Sequence, residues 1–150
     1  QNNQNIIASL KQQIIEIKNK NSTLQTNLET GVFSTQINDK IKIIMNIDKV
    51  FLDIDYAMPC GLIINEALTN CFKYAFIEKN GVINLSFRLI DNSYILEIKD
   101  NGIGLKNDFN LEKMDSLGLN LINSIATIQL NGKLKIINSN GTHLSISFRL

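Results

Sequence analysis

Lys99-Asp100-Asn101-Gly102-Ile103-Gly104-Leu105 follows an alternating apolar run, Tyr94-Ile95-Leu96-Glu97-Ile98. The alternation predicts a strand, and this strand ends on a carboxylate followed by two glycines. Taken alone, Asp and Asn beside Gly read equally well as a hairpin turn. A carboxylate at a strand end can instead accept a hydrogen bond from the exocyclic amine of a base. Gly102 and Gly104 would then let the backbone approach a ligand with no Cβ in the way. The choice depends on two further motifs, one on each side.

Upstream, Pro59 is the only proline, and proline suits the first turn of a helix. Over residues 60–76, Leu62, Ile63, Ala67, Leu68, Cys71, Phe72, Ala75 and Phe76 recur at three- and four-residue intervals, the apolar stripe of a helix. Asn65, Glu66, Asn70, Lys73 and Tyr74 gather on another face. Any one of them is most simply a solvated residue. As a set, they collect oxygens and an ammonium on one side of the helix. Glu66 and Asn70, one turn apart, suit a hydrated Mg²⁺ that takes its remaining oxygens from phosphate, and Lys73 suits a phosphate oxygen. Downstream, Ser116-Leu117-Gly118-Leu119 opens a helix predicted over residues 116–130, with Leu117, Leu121, Ile125 and Ile128 on one face. A helix start with glycine offers free N–H groups to a phosphate chain. Base site, metal-and-phosphate face and phosphate-binding helix start are the three parts of a Mg–nucleotide site.

The remaining elements frame these motifs. Ile41, Ile43, Met45 and Ile47 alternate as a strand, and Val50, Leu52 and Ile54 alternate with Asp53 and Asp55 as a second short extended piece. Residues 82–89 and 94–98 form a hairpin around Asp91-Asn92, and residues 133–137 and 143–148 form another around Asn138-Ser139-Asn140-Gly141. Residues 30–38 read as a turn and residues 106–115 as a polar segment. At the N-terminus, Ile7, Leu10, Ile14, Ile17, Asn21, Leu24 and Leu28 form a heptad stripe over residues 5–28, with Asn21 at a seam position. Such a stripe can pack on its own domain or form a dimer seam, and the reading favours the dimer. The order of elements predicts an α+β fold, a two-layer α/β sandwich with helices on one face of a largely antiparallel sheet, preceded by an N-terminal helix.

Bulk properties narrow the class. The chain has 150 residues, an apolar fraction of 44% and a net charge of +1, enough for a real core and with no electrostatic pull toward nucleic acid. Cys60 and Cys71 have no metal-ligand spacing and read as small buried thiols in a reducing cytosol. No apolar run is long enough to span a membrane and no signal-peptide pattern opens the chain, so a cytoplasmic location without membrane contact is expected. The chain begins at Gln1, from which a piece of a longer protein is expected.

Asn65-Glu66-Ala67-Leu68-Thr69-Asn70-Cys71-Phe72-Lys73-Tyr74-Ala75 resembles the N box of the Bergerat-fold ATPases, the histidine-kinase and gyrase type. Asp100-Asn101-Gly102-Ile103-Gly104 resembles their G1 box and Ser116-Leu117-Gly118-Leu119-Asn120-Leu121 their G2 box. Residues 50–55 with 59–66 are similar to the HisKA_2 type of sensor histidine kinase. The resemblance runs from about Ile41 to the C-terminus.

The resemblance implies roles residue by residue. Asn70 would ligate Mg²⁺, with Glu66 beside it. Glu66 would assist proton removal from the attacking group, and Lys73 and Tyr74 would face the phosphates of ATP. Asp100 would accept from the adenine amine, and Gly102, Gly104 and Leu105 would shape the pocket and the start of the lid. Ser116, Leu117, Gly118 and Leu119 would border the triphosphate, and Thr142 would support the adenine through a water. Ser116 stands where a glycine is usual, and no clear F box is visible. The implied partners are a response regulator and a second copy of the chain. The implied domains are residues 1–30, a remnant of the dimerisation hairpin, and residues 31–150, the ATP-binding catalytic domain. His143, the only histidine, reads as an ordinary sheet residue, so the phosphoacceptor is expected upstream of this sequence. The alternatives are a serine kinase of the anti-sigma-factor type and a degenerate nucleotide-binding or dimerisation module.

Overall fold

The structure, a computed structural model, describes residues 24–27, 32–37, 40–76, 80–105 and 116–150. In chain order its elements are β1 (Leu24–Asn27), β2 (Val32–Ile37), β3 (Ile41–Ile47), α1 (Ile54–Asn70), β4 (Gly81–Ile90), β5 (Ser93–Asp100), α2 (Leu117–Ser124), β6 (Lys133–Asn138) and β7 (Thr142–Phe148). The strands form one seven-stranded sheet in the order β1-β2-β3-β4-β5-β7-β6. Every neighbouring pair is antiparallel except β3 and β4, which α1 connects as a parallel crossover. This is the α+β arrangement expected from the sequence.

The alternation in the sequence becomes two unlike faces. Ile41, Ile43 and Met45 of β3, Ile83, Leu85 and Phe87 of β4, Tyr94, Leu96 and Ile98 of β5, and Leu144, Ile146 and Phe148 of β7 are all buried. They share one core with Ile63, Ile64, Ala67 and Leu68 of α1 and Leu119 and Ile122 of α2. Asp100 continues the buried set of β5 one step beyond Ile98. At the opposite end of β5, Tyr94 stacks on Phe148 with ring centroids 5.3 Å apart and donates its hydroxyl to the Phe51 carbonyl at 2.9 Å.

Two tight turns follow from residues that tolerate positive φ. Asp91 (φ 48) and Asn92 (φ 60) join Ile90 to Ser93, as a two-residue hairpin of this twist requires. Asn140 (φ 50) and Gly141 (φ 106) turn β6 into β7.

The other face of the sheet is polar. Glu97 at its centre pairs with Arg88 on β4, lies 3.2 Å from Nε2 of His143 on β7, and accepts from Ser86 at 3.3 Å. His143 is thus an ordinary cross-strand residue, on the face away from Asp100. Burial alone would raise the Glu97 pKa, but the Arg88 guanidinium outweighs it, and His143 adds to the effect. The carboxylate is held below its usual 4.5. A depressed folded-state pKa contributes stability above the unfolded-state value, and that contribution is lost as pH falls through the folded one. Glu97→Gln should therefore cost less than about 1 kcal/mol at pH 7, the pair being part-exposed and screened. In urea unfolding the gap from wild type should narrow only below pH 4.5.

Several expectations are corrected. Leu24–Asn27 is not the end of a helix but a strand, because its backbone pairs with β2 from Leu24↔Thr35 to Asn27↔Val32. The rest of the proposed heptad helix, residues 5–23 and 28, lies outside the described residues. Val32–Ile37, expected as part of a turn, is a strand in full register with β3. The alternation at Val50 and Leu52 is real burial without a strand: both side chains enter the core, while the chain is irregular until α1 begins at Ile54. The helix therefore starts earlier than Pro59. Proline falls in its second turn and cannot donate to the Asp55 carbonyl. Both helices also end in a wide π-type turn, Cys71–Ala75 after α1 and Ile125–Gln129 after α2.

Candidate nucleotide site

α1 and α2 meet at a glycine. A Cβ placed on Gly118 would stand 3.2 Å from Glu66 Oε2, 3.3 Å from Asn70 Nδ2 and 3.4 Å from Asn70 Oδ1. The two polar residues of the first helix therefore converge on the start of the second. Ser116 caps that start, its Oγ accepting from the Leu119 N–H at 3.2 Å, which satisfies one of the donors a helix N-terminus leaves open. Leu117 is 87% exposed and the Leu119 side chain is buried.

The second contact lies at the end of β5. Asp100 is the one buried charged residue among those described, 3% exposed. Its Oδ1 accepts from the Gly102 N–H at 2.8 Å and its Oδ2 from the Cys71 thiol at 3.7 Å. Asn101 continues the ladder, its Oδ1 accepting from the Val82 N–H at 2.7 Å. The chain then turns against the end of α1: Ile103 N–H donates to the Ala75 carbonyl at 3.0 Å, and a Cβ on Gly102 would lie 2.3 Å from that same oxygen. Gly102 is required there by close approach. Lys99 pairs with His143, the last pair of the β5–β7 ladder, and Thr142 begins β7 directly after Gly141.

Asn70 and Cys71 join the two contacts. They are consecutive residues: Asn70 lies against Gly118 and Cys71 donates to Asp100. The wide turn that begins at Cys71 carries the chain from one half of the site to the other. Lys73 and Tyr74 lie on this turn, exposed to solvent and outside both contacts. Residues 106–115, the expected lid, are outside the described residues.

Three participants were not singled out from the sequence. Asn138, read there only as a turn residue, clamps the backbone after Gly104 (φ 74): its Oδ1 accepts from the Leu105 N–H at 2.9 Å and its Nδ2 donates to the Leu105 carbonyl at 2.8 Å. Gly141 packs on Asp100, and its position in a hairpin signal hid that contact. Cys71 reads in the sequence as a small buried thiol; burial first, and then the Asp100 carboxylate, push its thiol pKa upward. Cys60, remote from Asp100 in sequence and buried, is pushed up to about 12 by burial alone.

Among the described residues no cluster of three or more His, Cys, Asp or Glu is placed to hold a metal ion, and no helix is long and apolar enough to cross a membrane. A hard cation at Glu66 and Asn70 would need further oxygens from water or phosphate.

The family model of the histidine kinase-, DNA gyrase B- and HSP90-like ATPases matches residues 57–150. The chain belongs to this ATPase family. The match covers α1 from Ala57 onward, β4, β5, α2 and the final hairpin, so both contacts described above lie within it. Sensor histidine kinase PdtaS of Mycobacterium tuberculosis is 32% identical over 85 residues, 55% of this chain and 17% of that protein. PdtaS of Mycolicibacterium smegmatis is 29% identical over 127 residues, 74% of this chain and 26% of that protein. The chain thus spans about a quarter or less of these curated relatives. The histidine kinase domain of the blue-light activated histidine kinase of Erythrobacter litoralis shares the fold, with a TM-score of 0.69 at 24% identity, covering 75% of this chain and 53% of that one. The chain is therefore an ATP-binding domain of the histidine-kinase ATPase fold, related in sequence to sensor histidine kinases.

Proposed function

We propose that this ATPase domain is the catalytic part of a sensor histidine kinase, binding Mg–ATP and passing its γ-phosphoryl group to a histidine outside this sequence. A response regulator would receive the group next, and a second copy of the chain would pair through the part of the N-terminal stripe that precedes β1. The carrying observation is that Asn70 and Cys71, adjacent in the chain, lie against Gly118 and donate to Asp100 respectively, so one short stretch of chain links a phosphate end to a base end.

Asp100 accepts from the adenine amine, and Thr142 supports the adenine. Gly118 leaves room for the triphosphate at the start of α2, where backbone N–H groups meet its negative charge. The donor set fits magnesium: Glu66 and Asn70 both lie against Gly118, and both carry hard oxygen ligands of the kind magnesium takes. Mg²⁺ would supply charge neutralisation of the phosphates. Glu66 would take the proton from the attacking imidazole, and Lys73 would reach the phosphates from the exposed turn. Phosphoryl transfer depends mainly on positioning and charge neutralisation, which this set provides.

Calorimetric titration with ATP in Mg²⁺ and in chelator tests the reading. Asn70→Ala should weaken ATP binding about tenfold or more in Mg²⁺, the order seen when metal-site residues are altered, and leave binding in chelator unchanged. Equal affinity of Asn70→Ala and wild type in Mg²⁺ would remove the metal assignment. A wild-type domain that does not bind ATP would remove the function.

A further inference from the structure

Both oxygens of the Asp100 carboxylate are held by this chain. Gly102 N–H donates to Oδ1 at 2.8 Å and Cys71 Sγ donates to Oδ2 at 3.7 Å. The first bond is local, two residues along the same turn. It alone leaves the carboxylate free to swing, because the terminal torsion of Asp is broad. The second bond comes from another element and crosses from α1 to the end of β5. It is made where α1 widens into its π-type turn. Asn70, the last residue of α1, lies against Gly118, while its neighbour Cys71, the first of the wide turn, meets Asp100.

We propose that Cys71 is a positioning residue for base recognition: its S–H fixes Oδ2 of Asp100, so that the carboxylate presents a set lone pair to the exocyclic amine of adenine. The inference rests on the reading of Asp100 as the base-recognising carboxylate. An apolar side chain of similar size at residue 71 would fill the same buried space and supply no donor. Position 71 thereby contributes to the preference for a base bearing an amine, although Cys71 itself touches the carboxylate and not the nucleotide.

The test compares two nucleotides in three proteins. ATP and purine riboside triphosphate, which lacks the exocyclic amine, are titrated into wild type, Cys71→Ala and Cys71→Val, the last keeping the buried volume. Both variants should lose about fivefold in ATP affinity, as suits a weak donor to a charged acceptor, and bind the amine-free nucleotide as wild type does. Equal losses for the two nucleotides would show a packing role and overturn the proposal, as would unchanged ATP affinity. Asp100→Ala in the same titration separates the two levels of the argument. If it loses ATP while the Cys71 variants do not, the inference about Cys71 falls and the base site stands. If it binds ATP as wild type does, the base site itself falls.

Discussion

Asp100→Ala should weaken ATP binding by about 100-fold, the scale of a charge-assisted hydrogen bond lost from a dry pocket together with its alignment. The side chain is 3% exposed, so the carboxylate acts where water does not compete. Its removal also orphans two donors, the Gly102 N–H and the Cys71 thiol. A buried donor left unsatisfied costs about 1–3 kcal/mol, so the unfolding midpoint in urea should fall as well. Asp100→Asn separates the two effects. It keeps the shape and one accepting oxygen, but its amide must turn two hydrogens toward either Cys71 or the adenine amine, both of which are donors. Asp100→Asn should therefore be closer to wild type in stability than in affinity. An Asp100→Ala protein that is folded by circular dichroism and binds ATP with wild-type affinity would show that base recognition lies elsewhere.

The parts of this fold legible in the sequence are those where one physical pattern acts alone. Alternation over Ile41–Ile47 and Tyr94–Ile98 survives into the structure because one face of the sheet is covered by helices and the other is polar. The turn at Asp91-Asn92 was readable because few residues accept positive φ at two successive positions. The misreadings come from competition between patterns. Leu24 fits a heptad spacing and also the strand it joins, and pairing with β2 decided between them. Val50 and Leu52 alternate as a strand would, yet they plug the core from an irregular segment. Pro59 suggested a helix start because proline is tolerated there, while the helix forms a turn earlier.

The site was legible to a different degree. Glu66, Asn70 and Asp100 stood out because polar residues beside apolar stripes demand an explanation. Asn138 and Cys71 did not, because each has an adequate local reading, a turn and a core thiol. Their contacts to Leu105 and Asp100 span 33 and 29 residues of sequence, a separation that no periodicity encodes.

Gly141→Ala should have the largest effect on folding, about 3 kcal/mol or more of lost stability. The residue has φ 106, a region that L side chains rarely adopt. A Cβ there would also stand 2.1 Å from the Asp100 carbonyl oxygen and 2.9 Å from Asp100 Oδ1. The first of these is backbone of β5, held there by pairing with Ile83 of β4, so it has no easy direction in which to move. The β6–β7 turn must shift instead, and it carries with it Thr142, the next residue of β7. Stability and ATP affinity should therefore fall together, the second measured at a temperature where the variant is still folded. Gly61→Ala is the control. It lies inside α1 with nothing within 4 Å of a Cβ, and there alanine should stabilise the domain by about 0.5–1 kcal/mol without touching ATP affinity. If Gly141→Ala unfolded at the wild-type urea midpoint, the contact between the hairpin turn and Asp100 would not exist in solution. If it were destabilised but bound ATP with wild-type affinity, the turn would support the sheet alone and not the base pocket.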